Sequence, residues 1–262
     1  DNLTYSWSAT GGSITGSTSN TTYTAPLSDG TYTITCTVDD GNGGTDSKTV
    51  NITVTSGSSS GIVTDYDGNS YETVQIGDQL WMAENLKVTH YNNGDEIPTG
   101  LDATTWSSTE QGAYTIYGNN PSNAEIYGNL YNWYAVDDSR GLCMDGWHVP
   151  SDSEWMKLEM ELGMSESEAN SDSYRGTDEG SQLAGNSDLW NDGDLENNAA
   201  FGTSGFNGIP AGLLDSGGQN YYYMGTFGYF WSSSEYNIAI AWRRQLDYYS
   251  SAVLRNGAPN QY

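Results

Sequence analysis

The sequence predicts an α+β protein, in which a short all-β region precedes a larger region that mixes strands, helices and loops. In residues 1–55, apolar and polar residues alternate with a period of two, which is typical of half-buried strands. Beyond residue 61 the aromatic content rises, and a run around Ser151 carries the start signal of an amphipathic helix. The 32 glycines among 262 residues indicate many turns between these elements.

Charge and composition narrow the classes of function. The chain carries 34 acidic and only 8 basic residues, a formal charge of −26. Such a surface repels phosphate backbones, so we predict no nucleic-acid partner. No apolar run is long enough to span a membrane, and none has the pattern of a signal peptide. The composition suits a secreted or cell-surface protein in a salty or calcium-rich medium.

Residues 1–55 are interpreted as an antiparallel sheet. Tyr5 and Trp7 alternate with serines, and Ile34, Cys36 and Val38 alternate with threonines. The run at residues 30–46 (GTYTITCTVDDGNGGTD) resembles the last hairpin of bacterial PKD and related Ig-like surface domains. In Ig-type sandwiches an inward Trp packs on a cysteine pair between the sheets, and the whole sandwich needs about 100 residues. We therefore expect a partial sandwich that lacks its first two strands.

The loop of this hairpin contains oxygen ligands that Ca²⁺ could use, namely those of Asp39, Asp40, Asn42 and Asp46. A solvated hairpin turn is the favoured interpretation, because loops this rich in glycine commonly connect paired strands. Residues 56–61 (SGSSSG) have the composition of a flexible linker between two domains.

A capped helix is the clearest local prediction. Ser151 is a good N-cap, and Glu154 three residues later completes a capping box. Gly163 is a natural C-terminal stop. At helical spacing, the predicted apolar stripe comprises Trp155, Met156, Leu158, Met160 and Leu162, and the polar face comprises Lys157, Glu159 and Glu161.

Six motifs in residues 62–262 resemble the Fibrobacter succinogenes major paralogous domain in order and spacing. They are residues 67–71 (DGNSY), 76–86 (IGDQLWMAENL), 127–136 (YGNLYNWYAV), 146–155 (GWHVPSDSEW), 204–212 (SGFNGIPAG) and 229–235 (YFWSSSE). The resemblance implies a C-type-lectin-like fold, shared with formylglycine-generating enzymes and retroelement-diversified receptors. It also implies a secreted or surface protein without an established enzymatic activity.

The two cysteines, Cys36 and Cys143, could pair with each other, stay free, or have partners beyond the ends of the chain. The resemblance favours the last alternative, because that family usually ends in a strand whose cysteine matches the one before the GWHVP motif. We therefore expect either a fragment or a strand-exchanged homopolymer, in which a neighbouring copy supplies the missing terminal strands.

The sequence offers one candidate for a catalytic side chain, a histidine near a cysteine. His148 lies close to Cys143, but a cysteine nucleophile needs a lowered thiol pKa and a positioned base. A turn histidine beside a structural cysteine is the favoured interpretation. The sequence contains no glycine-rich phosphate loop and no zinc spacing. We predict a protein that is not an enzyme.

Two sets of residues are predicted as binding sites. The densest acidic loop, a candidate for Ca²⁺, comprises Asp188, Asp192, Asp194 and Glu196, with a solvated loop as the alternative.

Aromatic residues such as Tyr221, Tyr222, Tyr223 and Trp231 could form a surface for glycan or protein ligands, or belong to the core. In the diversified relatives, the ligand face precedes the last strand, which implies residues 236–256 here. The predicted ligand-binding residues are Tyr236, Trp242, Arg244, Tyr248, Tyr249 and Arg255.

The predicted function is therefore a non-enzymatic extracellular surface or adhesion protein with a lectin-like head. A structural subunit of an extracellular filament, assembled by strand exchange between copies, is the alternative.

Overall fold

The structure is a computed structural model that describes residues 3–26, 30–54 and 61–262. The chain contacts divide it into two units, Asp1–Ser59 and Ser60–Tyr262. The predicted linker at residues 56–61 lies outside the described residues, except for Gly61.

The N-terminal unit is an antiparallel β structure, as the period-two pattern predicts. Its strands are β1 (Thr4–Ala9), β2 (Ser13–Thr15), β3 (Thr22–Thr24), β4 (Gly30–Asp39) and β5 (Thr45–Val54). A three-stranded sheet has the order β1-β4-β5, and a separate two-stranded sheet pairs β2 with β3.

Trp7 and Cys36 lie directly opposite each other on β1 and β4. They are therefore neighbours within one sheet, whereas the Ig-like interpretation expects the Trp to pack on a cysteine pair between two sheets. Cys36 is a free thiol in this structure. Ile34 is the one fully buried apolar residue among the described residues of this unit, so most of its apolar face is only half-buried.

The loop between β4 and β5 uses its acidic residues to close the turn. Asp40 Oδ1 accepts the backbone N–H groups of Asn42 and Gly44, both at 2.8 Å. Asp39 Oδ1 accepts the N–H of Gly41 at 2.7 Å. These hydrogen bonds support the interpretation of the loop as a hairpin turn.

The C-terminal unit mixes helices and strands, which confirms the predicted α+β class. Its strands are β6 (Ile62–Thr64), β7 (Ser70–Ile76), β8 (Gln79–Met82), β9 (Tyr114–Thr115), β10 (Leu130–Tyr131), β11 (Ser173–Arg175), β12 (Leu213–Leu214), β13 (Tyr221–Tyr222), β14 (Phe227–Asn237), β15 (Ile240–Asp247) and β16 (Ser250–Pro259). Its helices are α1 (Ala103–Ser108), α2 (Pro121–Tyr127), α3 (Trp133–Val136), α4 (Asp152–Glu161), α5 (Glu166–Ala169) and α6 (Glu179–Leu183), with 3₁₀ turns at Tyr117–Asn119 and Ser187–Leu189.

The largest sheet of this unit is antiparallel and has the order β11-β16-β15-β14. A second sheet has the order β6-β7-β8. Asp65 shapes the turn between β6 and β7, since its Oδ1 accepts the N–H groups of Asp67 and Asn69 at 2.9 Å. Gly68 adopts a φ of 85° there, a conformation that favours glycine. This segment is a structural turn.

The main core of the C-terminal unit is built around aromatic rings from three motifs of the sequence. The ring of Trp155 lies 5.0 Å from that of Trp81 and 5.6 Å from that of Phe206. Both contacts have tilted or edge-on geometry, which aromatic pairs favour. The indole N–H of Trp155 donates to the carbonyl of Trp231 at 3.2 Å and so joins α4 to β14.

Helix α4 confirms the prediction of a capped helix. Ser151 is the N-cap, and its capping box with Glu154 is complete on both sides. Two residues depart from the predicted faces. Glu159, predicted as polar surface, is fully buried, and Met160, predicted in the apolar stripe, is 37% exposed. The reason for the first departure is that buried arginines from distant strands bind Glu159.

Candidate functional site

Arg244, predicted to contact a ligand, lies instead in a buried ion cluster. Its side chain is fully buried, with Nε 2.7 Å from Glu159 Oε1 and Nη1 2.6 Å from Asp152 Oδ1. Arg175 also binds Glu159, at 2.6 Å. Because a ligand cannot reach a fully buried guanidinium, the prediction for Arg244 is corrected: it joins the sheet to α4.

Arg255 belongs to the same cluster. It is 7% exposed and binds Asp152 at 2.6 Å and Asp172 at 2.8 Å. Burial by itself would raise the pKa of Asp152, but the hydrogen bonds and charges of Arg255 and Arg244 outweigh it and hold that pKa below its usual range. Arg255 is therefore also a structural residue.

Tyr236 and Trp242 form a small aromatic pair at one end of the sheet, in which Tyr236 is exposed and Trp242 is half-buried. Their rings meet edge-on at 4.6 Å, and the guanidinium of Arg255 lies 3.8 Å from the Trp242 ring on the inner side. Tyr236 is 52% exposed, and Ile238 at the tip of the β14–β15 hairpin is 94% exposed.

Tyr248 and Tyr249 lie at the other end of the same strands, in the turn between β15 and β16. A strand rises roughly 3.3 Å per residue, so about 20 Å separates Trp242 from Tyr248. The six predicted ligand-binding residues consequently do not form one surface. They divide into two exposed ends of the sheet and a buried ion cluster between them.

Around Tyr249 the structure assembles a larger set of exposed aromatic rings, which we call the aromatic platform. Four of its residues are between 42% and 47% exposed. Neighbouring ring centroids are 4.7 to 6.5 Å apart, which makes the surface continuous. The aromatic platform consists of Tyr174, Tyr222, Tyr223, Phe227 and Tyr249, of which Phe227 is half-buried.

Three separate segments bring these rings together. Tyr174 lies on β11, Tyr249 lies in the β15–β16 turn, and the other three rings come from the end of β13 and the start of β14. Tyr223 occupies the left-handed region with a φ of 71°, which is rare for a residue with a bulky side chain. Its carbonyl accepts the N–H groups of Thr226 and Phe227 at 2.9 Å, and this turn holds the strained conformation.

A buried carboxylate supports the aromatic platform from below. Asp247 is fully buried and accepts hydrogen bonds from the Tyr174 hydroxyl and, at 2.6 Å, from Gln245 Nε2. Burial raises the pKa of Asp247 to about 6. The hydroxyls of Tyr174 and Tyr249 lie 2.7 Å apart, which links two rings of the platform.

The predicted calcium loop lies beside the aromatic platform. Leu195 N donates to the carbonyl of Tyr248 at 3.0 Å, and Asn191 N donates to that of Gly225 at 2.7 Å. The pKa of Glu196 is raised, mainly by burial and to a smaller extent by the charge of Asp192. Within residues 3–26, 30–54 and 61–262, no three acidic, histidine or cysteine side chains gather as a metal site. Calcium binding by Asp188, Asp192, Asp194 and Glu196 stays a prediction.

His148 and Cys143 differ in their surroundings. His148 Nε2 lies 2.9 Å from Glu154 Oε1, and its side chain is 67% exposed. Cys143 is a free thiol, and burial raises its pKa to about 11. At neutral pH it is protonated and therefore a weak nucleophile, which agrees with the structural interpretation of this pair.

Models of two known protein families match the chain. The model described as the Fibrobacter succinogenes major domain matches residues 74–261, most of the chain. The chain belongs to this family. The resemblance seen in the sequence motifs is thereby confirmed. A second model, described as the K319L-like, PKD domain, matches residues 1–54. No curated protein and no solved structure matches the chain.

A PKD-like domain followed by a Fibrobacter succinogenes major domain is an adhesion-like combination that indicates a surface or extracellular protein. None of the helices that the structure describes combines the length and the apolar character needed to cross a bilayer.

Within the Fibrobacter succinogenes major domain, sequence reasoning missed Tyr174 and Phe227 as members of the aromatic platform. Tyr174 is separated from Tyr249 by 75 residues, and no local pattern relates them. The run of three tyrosines at residues 221–223 and the predicted ligand residue Tyr249 are the signals in the sequence that pointed toward this surface.

Proposed function

We propose that the protein is a non-enzymatic extracellular surface or adhesion protein whose C-terminal unit, a C-type-lectin-like head, binds glycans on the aromatic platform. The observation that carries this proposal is the row of exposed, touching rings of Tyr222, Tyr223, Phe227, Tyr249 and Tyr174. Scattered exposed apolar residues are normal on a protein surface, whereas a contiguous exposed patch favours a binding role.

Tyrosine rings suit a sugar ligand because they present a flat apolar face beside a polar hydroxyl. The C–H faces of a pyranose ring stack on the apolar face of the tyrosine ring, and the sugar hydroxyls hydrogen-bond with the tyrosine hydroxyl. The neighbouring acidic loop and the net charge of −26 oppose an anionic glycan. We therefore propose a neutral glycan as the ligand class.

Two of the predicted ligand residues contribute to this site. Tyr249 is a member of the aromatic platform, and Tyr248 packs edge-on against it with centroids 5.3 Å apart. Tyr248 also packs against the main core and so fixes the position of the exposed ring. Exposed Tyr236 and half-buried Trp242 lie at the opposite end of the sheet, where we propose a second surface for a protein ligand.

Binding to an array of neutral and acidic oligosaccharides, followed by calorimetry with the best neutral binder, tests the proposal. Tyr249→Ala is expected to weaken binding by about tenfold, the value of one lost stacking contact. Tyr236→Ala is the matched control, since it removes a similarly exposed ring at the other end of the sheet. Equal losses for both variants, or no binder on the array, would argue against the platform.

A filament subunit is the second candidate, and the N-terminal unit supplies the observation that favours it. Both β1 and β5 are edge strands, and Val50 on β5 is 55% exposed. Exposed apolar edge strands pair readily with a strand from another chain. Negative-stain microscopy and sedimentation of the chain at increasing concentration test this idea; monomers at every concentration would count against it.

A further inference from the structure

The C-terminal unit contains an apolar cavity of about 550 Å³, a volume typical of small-molecule sites. It lies between β8 and β14, which are edge strands of two different sheets, and the loop at residues 146–150 forms another wall. It is separate from the aromatic platform, as none of the platform rings lines it. The apolar walls include Leu80, Met82, Leu130, Leu142, Trp147 and Trp231.

Arg243 is the cation that lines this cavity, and no acidic side chain among the described residues pairs with it. Its Nε donates to Asn256 Oδ1 at 3.1 Å. Within the described residues, neither Nη1 nor Nη2 donates to any protein group, and neither is sealed from solvent. The guanidinium lies 4.5 Å from the ring of Tyr229 and 5.4 Å from that of Tyr262. The rings hold it in place and leave its two terminal nitrogens free to bind.

The absence of a carboxylate at Arg243 stands out in so acidic a chain. In the part that the structure describes, five of the eight basic residues form ion pairs, and Lys48 and Lys157 are exposed to solvent. Among the described residues, only Arg243 is a basic residue that is both partly buried and without a carboxylate partner. Burial lowers its pKa, yet an arginine keeps its charge at neutral pH. Leaving a desolvated charge unpaired is costly, so this position favours an anion from outside the chain.

The acidic residues around the cavity are already engaged elsewhere. Glu154 completes the capping box of α4 and binds His148, which lies at the rim. Glu84 accepts the backbone N–H of Glu72 at 2.9 Å. Neither pairs with Arg243. The cavity therefore combines apolar walls with one directed positive charge.

We propose that this cavity binds a small molecule with an aromatic or aliphatic body and a carboxylate, which Arg243 holds through Nη1 and Nη2. Arginine presents parallel N–H groups that match the two oxygens of a carboxylate, and such charge-assisted pairs are the strong ones in proteins. The apolar body fills the space between Leu130, Trp147 and Trp231. Charge complementarity selects the acid over uncharged molecules of the same shape.

Calorimetry with 4-phenylbutanoate and 4-phenylbutanamide tests the proposal on the intact chain, since the two probes differ mainly in charge. The acid is expected to bind at least about tenfold more tightly than the amide, the size of one charge-assisted hydrogen bond. Arg243→Gln should remove this preference, and Arg243→Lys should keep part of it. Lys157→Gln, which removes an exposed positive charge on α4, is the control that should behave as the unmodified chain.

Equal affinity for acid and amide would overturn the proposal, and this result needs no variant to fold. An unchanged preference in a folded Arg243→Gln variant would also overturn it. A third contrary outcome is that neither probe binds while a hexapeptide of alternating valine and serine does. That result would assign the space between the two edge strands to an extended polypeptide.

Discussion

The hydroxyl of Tyr174 donates a hydrogen bond to the carboxylate of Asp247, 73 residues further along the chain. This bond joins the edge strand β11 to the end of β15 and places a titratable group directly below the aromatic platform. The stability of the fold and the shape of the platform therefore depend on the same carboxylate.

Asp247→Asn is expected to change the pH dependence of stability. The folded-state pKa of Asp247, about 6, lies above its usual unfolded value of about 3.9, so the folded state binds the proton more tightly. The protonated carboxyl group of Asp247 therefore stabilises the folded state below about pH 4. This stabilisation, roughly 3 kcal/mol, is lost as the pH rises through about 6. The neutral Asn should be more stable than Asp at neutral pH and similar at acidic pH. Urea unfolding of both proteins across this range measures the difference, and a pH-independent difference would contradict the assignment.

Glu159→Gln should destabilise the C-terminal unit by about 3–5 kcal/mol, because it leaves two buried arginines with reduced compensation. Arg175 and Arg244 both bind this carboxylate, at 2.6 and 2.7 Å. Glu161→Gln on the same helix is the control, since Glu161 is exposed. Thermal and urea unfolding give the comparison; equal stability of the two variants would show that Glu159 is dispensable.

Tyr223→Asn tests the aromatic platform without disturbing its backbone. Asparagine tolerates the left-handed region better than tyrosine does, so the turn at a φ of 71° should be kept and stability should change by less than about 1 kcal/mol. Glycan binding should nonetheless weaken about tenfold, since the ring that bridges Tyr222 and Phe227 is lost. Calorimetry and urea unfolding of the same sample separate the two effects. An unchanged affinity for the glycan would show that Tyr223 is not part of the binding site.

Calcium is expected to stabilise the acidic loop. The raised pKa of Glu196 reflects its burial and the nearby charges of Asp192 and Asp188, which a bound cation would offset. Each kcal/mol of binding stabilisation should raise Tm by about 2–4 °C for a unit of this size. The measurement compares Tm in millimolar calcium with that in chelator. Asp192→Asn should reduce the shift, and an unchanged Tm in the parent protein would exclude the site.

Local features of the sequence predicted local structure well. The helix at α4 was predictable because Ser151, Glu154 and Gly163 satisfy its ends within a few residues. The strands of the N-terminal unit followed from their period-two alternation in the same way.

Contacts between distant residues were not predictable from one sequence. Glu159 sits at a polar position of the helical pattern, and nothing near it indicates that Arg244, 85 residues away, would bury it. The aromatic platform was unpredictable for the same reason, because Tyr174 and Tyr249 come together only when β11 pairs with β16. Arg244 and Arg255 were predicted as ligand residues because the family resemblance implies a ligand face at residues 236–256, and strand alternation alone does not tell which face of a strand is covered by a helix.

The ion cluster of Asp152, Glu159, Arg244 and Arg255 clamps the middle of the β15–β16 hairpin to α4. Ile238 in the β14–β15 turn and Tyr249 in the β15–β16 turn are outside this clamp, and nearly half or more of each residue is exposed. Substitutions there remove few contacts that hold the sheet together. The strands thus hold the residues that must be kept for folding, whereas the two turns hold residues that are free to diversify, and a randomised library at either turn should yield a high proportion of folded variants.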